Sequence, residues 1–204
     1  MPEARERLDA DVLIVGAGPA GLACALHLSR LIRQHNESGS KPELSAENIY
    51  VLEKGREIGA HQLSGAVMDP RGLAELVPDF EKTAPLDTPV TDDAAYYLTA
   101  ASAWKLPITP PPLRNHGNYI ISLNKLVKWL GGLVEQAGVN IFTQFAGAEL
   151  IYEGEGIAGV ITEDKGRDKE GKPKDNFTPG YELRAKITVL AEGPRGSLTK
   201  DLVA

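Results

Sequence analysis

Three glycines and one glutamate carry the chemistry most readily read from this chain. Gly16, Gly18 and Gly21 have the spacing GxGxxG within Asp11–Gly21, and Glu53 follows a second apolar run that ends at Leu52. Glycine at the first position permits a tight turn. At the second it lets the backbone approach a pyrophosphate, and at the third it lets helix and strand pack closely. A helix that opens there offers free N–H groups and about half a positive charge, which hold a dianionic linker without a side chain. A carboxylate just past the second strand accepts hydrogen bonds from both adenosine ribose hydroxyls. Each such charge-assisted bond contributes about 1.5–3 kcal/mol. The chemistry in view is dinucleotide binding.

The elements that must position these residues are legible around them. Val12–Val15 is short, apolar and β-rich, and reads as a buried strand. A helical pattern runs from Pro19 to about Gln34, with Leu22, Ala25, Leu26, Ser29 and Ile32 on one face. Asn48–Leu52 reads as the next strand. The polar insertion His35–Glu47 separates helix from strand, so Glu53 stands farther on than usual. A glycine turn in an unrelated α/β protein is the bland alternative. The strand before the glycines, the helix after them and the acid at the end of the second strand argue against it.

The 204 residues suit one large domain or one and a half. Acids outnumber bases, 28 to 22, for a net charge of −6, which disfavours nucleic acid as a partner. Cys24 is the single cysteine, so disulfide frameworks, zinc sites and iron–sulfur clusters are excluded within this chain, and it reads as helix packing. No apolar run approaches the ~18 residues that span a bilayer. Met1–Ala10 is a charged tail without the apolar stretch of a secretory signal. Nothing resembles a Ser-His-Asp triad or a hydrolytic carboxylate pair, so no catalytic side chain and no metal ligand is expected.

Further along, Lys54–Gly65 reads as a glycine-rich loop returning toward the cofactor. Asp69-Pro70 opens a short helix through Leu76. Short strands are expected at Tyr96–Leu98 and Trp104–Leu106, within a proline-dense stretch from Ala84 to Pro112. A strand at Tyr119–Leu123 leads to a helix from Asn124 to Ala137, closed by Gly138. A strand at Val139–Phe142 precedes a hairpin of Glu149–Glu153 with Ile157–Thr162. Glu163–Gly180 reads as a solvated charged loop. Strands at Tyr181–Ala185 and Ile187–Ala191 follow, then a helix beginning near Ser197. That helix stops in its first turns at Ala204, which leads us to expect a piece of a longer protein. His61 and His116 each have two readings, one beside a flavin and one as a turn histidine satisfied by backbone. Trp104, Leu106, Pro107, Ile108 and Leu113 form either an apolar entrance or, more commonly for such a set, core beneath a proline-rich loop.

The end of the chain discriminates between cofactors. Lys186–Ser197 resembles the segment with which many FAD enzymes return from an antiparallel meander. In them an apolar strand ends in an acid-Gly pair whose backbone touches the cofactor, so FAD is expected rather than NAD. The resemblance then becomes specific. Gly59–Ala66, Asp69-Pro70, Pro78–Phe80, Ala84–Thr91, Asn115–Ile120 and Leu190–Gly193 are similar to the N-terminal third of the electron transfer flavoprotein–ubiquinone oxidoreductases, over nearly the whole chain.

This resemblance implies an α/β fold: a Rossmann-like FAD-binding domain of the glutathione-reductase-like type over residues 11–204, with an antiparallel meander and an inserted α+β segment at 58–123. It implies an oxidoreductase that takes electrons from reduced electron transfer flavoprotein and passes them through FAD and one [4Fe-4S] cluster to ubiquinone. The implied FAD-contacting residues are Val15, Gly16, Ala17, Gly18, Pro19, Ala20, Gly21, Glu53, Lys54, His61, Ser64, Gly65, Ala191, Glu192 and Gly193. It implies peripheral membrane contact through Ile58–Asp79, at the cytoplasmic face of a bacterial inner membrane. The cluster's four cysteines, its ferredoxin-like domain and the last FAD contacts are not in this sequence, so the chain alone is expected to be inactive. Other FAD enzymes on the same scaffold, of the aromatic hydroxylase or geranylgeranyl reductase type, are the alternative, as is an inactive remnant.

Overall fold

Strand β1 (Arg7–Val15) is the centre on which the rest is laid, in a computed structural model that describes residues 5–204. Its last three residues are buried on both faces, the pattern of a central parallel strand. Helix α1 (Pro19–Glu37) leaves it through the glycine turn and returns the chain to β2 (Ile49–Glu53), which pairs parallel with β1 at Val12↔Ile49 through Val15↔Leu52. The residues α1 buries are Gly21, Leu22, Ala25, Leu26 and Ser29, close to the stripe expected. The Ser29 hydroxyl is satisfied by donating to the Leu26 carbonyl at 2.8 Å.

The helix runs one turn past Gln34 because the polar insertion folds back on it. Asn36 exchanges two hydrogen bonds with the Leu44 backbone, and a ring nitrogen of His35 bonds the Pro42 carbonyl at 2.8 Å.

The chain divides into two units, Met1–His61 with Leu130–Ala204, and Gln62–Trp129. In the first unit, β8 (Asn140–Thr143), β9 (Gly147–Glu153), β10 (Gly156–Thr162) and β13 (Glu182–Leu190) complete a six-stranded sheet in the order β8-β2-β1-β13-β10-β9. The first four are mutually parallel, and β10 and β9 continue antiparallel. The core gathers Leu13, Val15, Leu52, Val160, Leu183 and Leu198, the last from helix α5 (Ser197–Val203).

Two expectations are corrected here. β13 is one continuous strand rather than two, because β1 pairs along nearly all of it. Its interruption, Lys186, stays in the strand and places its ammonium 2.5 Å from Asp11, whose carboxylate also accepts from Asn48 and is held below the usual carboxylate range by Lys186 first and Asn48 second. The expected loop 163–180 instead contains a strand pair, β11 (Lys165–Arg167) with β12 (Pro173–Thr178). β1 also begins at Arg7, inside the expected tail.

The second unit holds a three-stranded antiparallel sheet in the order β3-β7-β4, from β3 (Ser64–Met68), β4 (Leu86–Pro89) and β7 (Tyr119–Ser122). Short helices α2 (Arg71–Leu76) and α3 (Phe80–Thr83) join β3 to β4. Buried Phe80 meets the Tyr119 ring edge-on, with centroids 6.1 Å apart. A hairpin of β5 (Tyr96–Leu98) with β6 (Ala103–Lys105) projects from a base at which Asp93 accepts from the Asn115 amide at 2.8 Å. Helix α4 (Leu123–Gln136) starts in this unit and ends in the first.

Candidate dinucleotide site

The glycine turn lies at the carboxyl ends of β2, β1 and β13, where α/β sheets bind ligands. It is locked between its neighbouring strands. The Gly16 N–H donates to the Leu52 carbonyl at 2.9 Å, and the Ala191 N–H donates to the Val15 carbonyl at 2.8 Å. Gly16 has φ +111°, and a Cβ there would collide with the Ala191 carbonyl oxygen. A Cβ on Gly21 would strike the Gly16 carbonyl. Two of the three glycines are therefore demanded by the backbone itself. Gly18 caps α1 with φ −80° and ψ −177°, a conformation open to any residue. What glycine supplies there is a bare surface over the first helical turn.

The helix offers its amides to that surface. Its first hydrogen bond runs from the Leu22 N–H to the Gly18 carbonyl at 3.0 Å. Pro19 has no N–H, and the amides of Ala20 and Gly21, in the first turn, have no helical acceptor. No acid stands in the first turn to compensate the positive end of the helix. Free amides and an uncompensated positive helix end are the features that suit an anionic group.

Glu53, at the end of β2, is nearly enclosed, its side chain 12% exposed. Its Oε1 accepts from the Gly55 N–H at 2.7 Å and lies 3.7 Å from His61 Nδ1. Its backbone carbonyl accepts from the Phe145 N–H at 2.9 Å, and the Gly55 carbonyl accepts from the Gln144 N–H at 2.8 Å. Gln144 adopts φ +64°, a strained conformation for a side chain of its kind. The sequence carries no signal for this clamp, because it is made by backbone from a distant strand end. Lys54 is exposed.

Ala191, Glu192 and Gly193 complete the first unit's share of the expected residues. The Glu192 carboxylate is turned onto the start of α5. It accepts from the amides of Ser197, Leu198 and Thr199 and from the hydroxyls of Ser197 and Thr199, at 2.9 to 3.3 Å. Burial pushes its pKa up, but these donors, the Thr199 amide foremost, outweigh it and hold the group below the usual glutamate value. What this segment presents outward is therefore backbone, with Gly193 at φ +78°.

Ser64 and Gly65 fall in the second unit, on β3. There His116 Nδ1 bonds the Thr91 carbonyl at 3.2 Å, the kind of backbone contact that the turn reading expects. Trp104 and Ile108 are 67% and 69% exposed, and Leu113 also lies open. The expectation of a core beneath a proline-rich loop is thus overturned: Trp104 on β6, Ile108 just past it and Leu113 all stand open. In the Ile58–Asp79 stretch only Leu63 and Val67 are exposed large apolar residues, and Ile58 packs on Gly131. No helix among the described residues is long and apolar enough to cross a membrane.

No family model matches the chain. Similar proteins are nonetheless plain. A probable electron transfer flavoprotein-ubiquinone oxidoreductase of Acinetobacter baylyi is 47% identical over 98% of this chain and 35% of its own length. The electron transfer flavoprotein-ubiquinone oxidoreductase of Pseudomonas aeruginosa is 49% identical over 98% and 36%, and the mitochondrial protein of Bos taurus is 46% identical over 95% and 31%. The chain spans about a third of the length of these curated relatives. Among solved structures, the flavin-dependent monooxygenase PieE in complex with FAD and substrate is 17% identical with a TM-score of 0.63, over 96% of this chain and 32% of that one. The chondrochloren halogenase CndH, a FAD-dependent halogenase from a myxobacterium, is 18% identical with a TM-score of 0.57, over 94% and 39%. These two likenesses establish the fold as the Rossmann-like α/β architecture of FAD-dependent flavoproteins. Over the third of their length that it spans, this chain resembles the electron transfer flavoprotein–ubiquinone oxidoreductases at 46–49% identity.

Proposed function

We propose that this chain is the FAD-binding portion of a quinone reductase that accepts electrons from reduced electron transfer flavoprotein and delivers them to ubiquinone. The observation that carries the reading is the glycine turn, too crowded for a Cβ at Gly16 and Gly21, beside an enclosed glutamate at the carboxyl ends of β2, β1 and β13. The N–H groups of Ala17, Gly18, Ala20 and Gly21 would hold the pyrophosphate and Glu53 the adenosine ribose. The backbone of Ala191–Gly193 would approach the cofactor from β13. Val15 and Pro19 shape the turn, Lys54 and His61 belong to the loop that follows the ribose contact, and Ser64 and Gly65 open β3. Bound FAD would take up two electrons and release them singly, as a flavoprotein donor and a quinone acceptor require.

The chain's own residues bind, orient and exclude water, and none need move a proton at a breaking bond. A [4Fe-4S] cluster needs four cysteines, so it would belong to the remaining length of the relatives, since Cys24 stands alone here.

Contact with a bilayer surface is part of the same proposal. The exposed apolar side chains of the second unit include Tyr97 (66%), Leu98 (70%) and Trp104 on the β5–β6 arm, Ile108 just past it, and Leu63 (81%) on the earlier stretch. Such a set fits an apolar or interfacial partner.

The test is to load the purified chain with FAD and add reduced electron transfer flavoprotein or NADPH under anaerobic conditions. Bleaching of the flavin by the former and none by the latter is expected. Reduction by NADPH alone would assign the chain to the hydroxylase type instead.

A further inference from the structure

Glu53 has two oxygens, and the fold treats them differently. Oε1 is committed: it accepts from the Gly55 amide at 2.7 Å, with His61 Nδ1 at 3.7 Å. A Cβ on Gly55 would stand 2.9 Å from the same oxygen, so that amide approaches as closely as it does only because residue 55 is glycine. The backbone on either side is pinned by Phe145 and Gln144. The Gly55 and His61 contacts both fall on Oε1 and neither on Oε2.

One amide does not fix a carboxylate, whose terminal torsion is soft. It leaves the plane free to turn about the bond to Oε1. A second donor held near that same oxygen removes the freedom and leaves Oε2 presented outward. His61 is the side chain within ion-pair distance of Glu53 among the described residues, and its ring is 57% exposed.

Resting on the FAD reading above, we infer that His61 is a positioning residue: it holds Glu53 through Oε1 so that Oε2 meets the adenosine ribose hydroxyls. His61 touches the carboxylate and not the dinucleotide. Its contribution is therefore felt only by ligands that carry those hydroxyls, and only while Glu53 is a carboxylate.

Four versions of the full chain test this: wild type, His61→Ala, Glu53→Gln and the double variant, with His61→Asn as the conservative replacement whose amide nitrogen stands near the place of Nδ1. Affinity for FAD is read by flavin fluorescence, and ADP is compared with 2′,3′-dideoxy-ADP as competitors. His61→Ala is expected to weaken FAD and ADP about two- to fivefold, the range of a partly exposed ion pair. His61→Asn restores most of the loss, the dideoxy compound binds wild type and His61→Ala alike, and His61→Ala adds nothing beside Glu53→Gln. No loss in His61→Ala, a loss that persists beside Glu53→Gln, one that extends to the dideoxy compound, or one that His61→Asn leaves unrestored overturns the inference while the FAD reading stands. A wild-type chain that binds no FAD overturns both.

Discussion

Gly16 and Glu53 pull in different directions when replaced, and the contrast separates shape from charge. Gly16→Val adds a Cβ against the Ala191 carbonyl on a residue at φ +111°. The turn must open, at a cost of about 1–3 kcal/mol, so the variant loses both flavin and melting temperature. Flavin absorbance after gel filtration, with a thermal melt, checks this, and a Gly16→Val chain that keeps its flavin contradicts the phosphate turn. Glu53→Gln keeps an oxygen for the Gly55 amide and leaves the fold intact. It removes the charge that strengthens the ribose bonds, so FAD affinity falls about ten- to hundredfold with an unchanged melt. Glu192 shows how a residue's type can be legible while its task is not. Its place after β13 was readable, but its carboxylate serves the amides of α5, a choice fixed by a turn that the sequence does not specify.

At the scale of elements, α5 is held by one side chain above all. Leu198 is fully buried against Leu13, Val15, Leu52, Val160 and Leu183. Leu198→Ala is expected to cost about 2–5 kcal/mol in urea unfolding. The β11–β12 pair has a different anchor, Asp164, which accepts from the Gly180 amide, Arg167 and Arg5. The Gly180 amide first, then Arg167 and Arg5 against the opposing effect of burial, hold Asp164 far below the usual aspartate range. Its stabilising contribution is therefore complete above the ordinary aspartate pKa and is lost as pH falls toward the lowered value. Asp164→Asn should cost about 1–3 kcal/mol near neutrality, and the difference from wild type should shrink in acid. A constant difference at every pH would contradict the anchor. β1, α1, β2 and the β9–β10 hairpin were legible because their apolar periods are local. The continuity of β13, the β11–β12 pair and the strained Gln144 were not, because a distant strand, three residues far apart in sequence and a backbone clamp decide them.

For the molecule as a whole, the proposed reading assigns two tasks to two units: a dinucleotide cradle in one and an exposed apolar arm in the other. The arm is testable by itself. Replacing Leu98, Trp104 and Ile108 together by serine should abolish co-sedimentation with phospholipid vesicles while leaving the melt within about 0.5 kcal/mol of wild type, as for exposed side chains. Unchanged sedimentation would remove the arm from any membrane role. The apolar arm was half legible: its residues stood out in the sequence, and only the fold distinguished an exposed hairpin from a buried core. The central claim rests on the cradle, and titration of the purified 204-residue chain with FAD, followed by calorimetry, tests it most directly. Saturation at one FAD per chain, abolished by Gly16→Val, is the result expected. A well-folded wild-type chain that takes up no FAD would contradict the account.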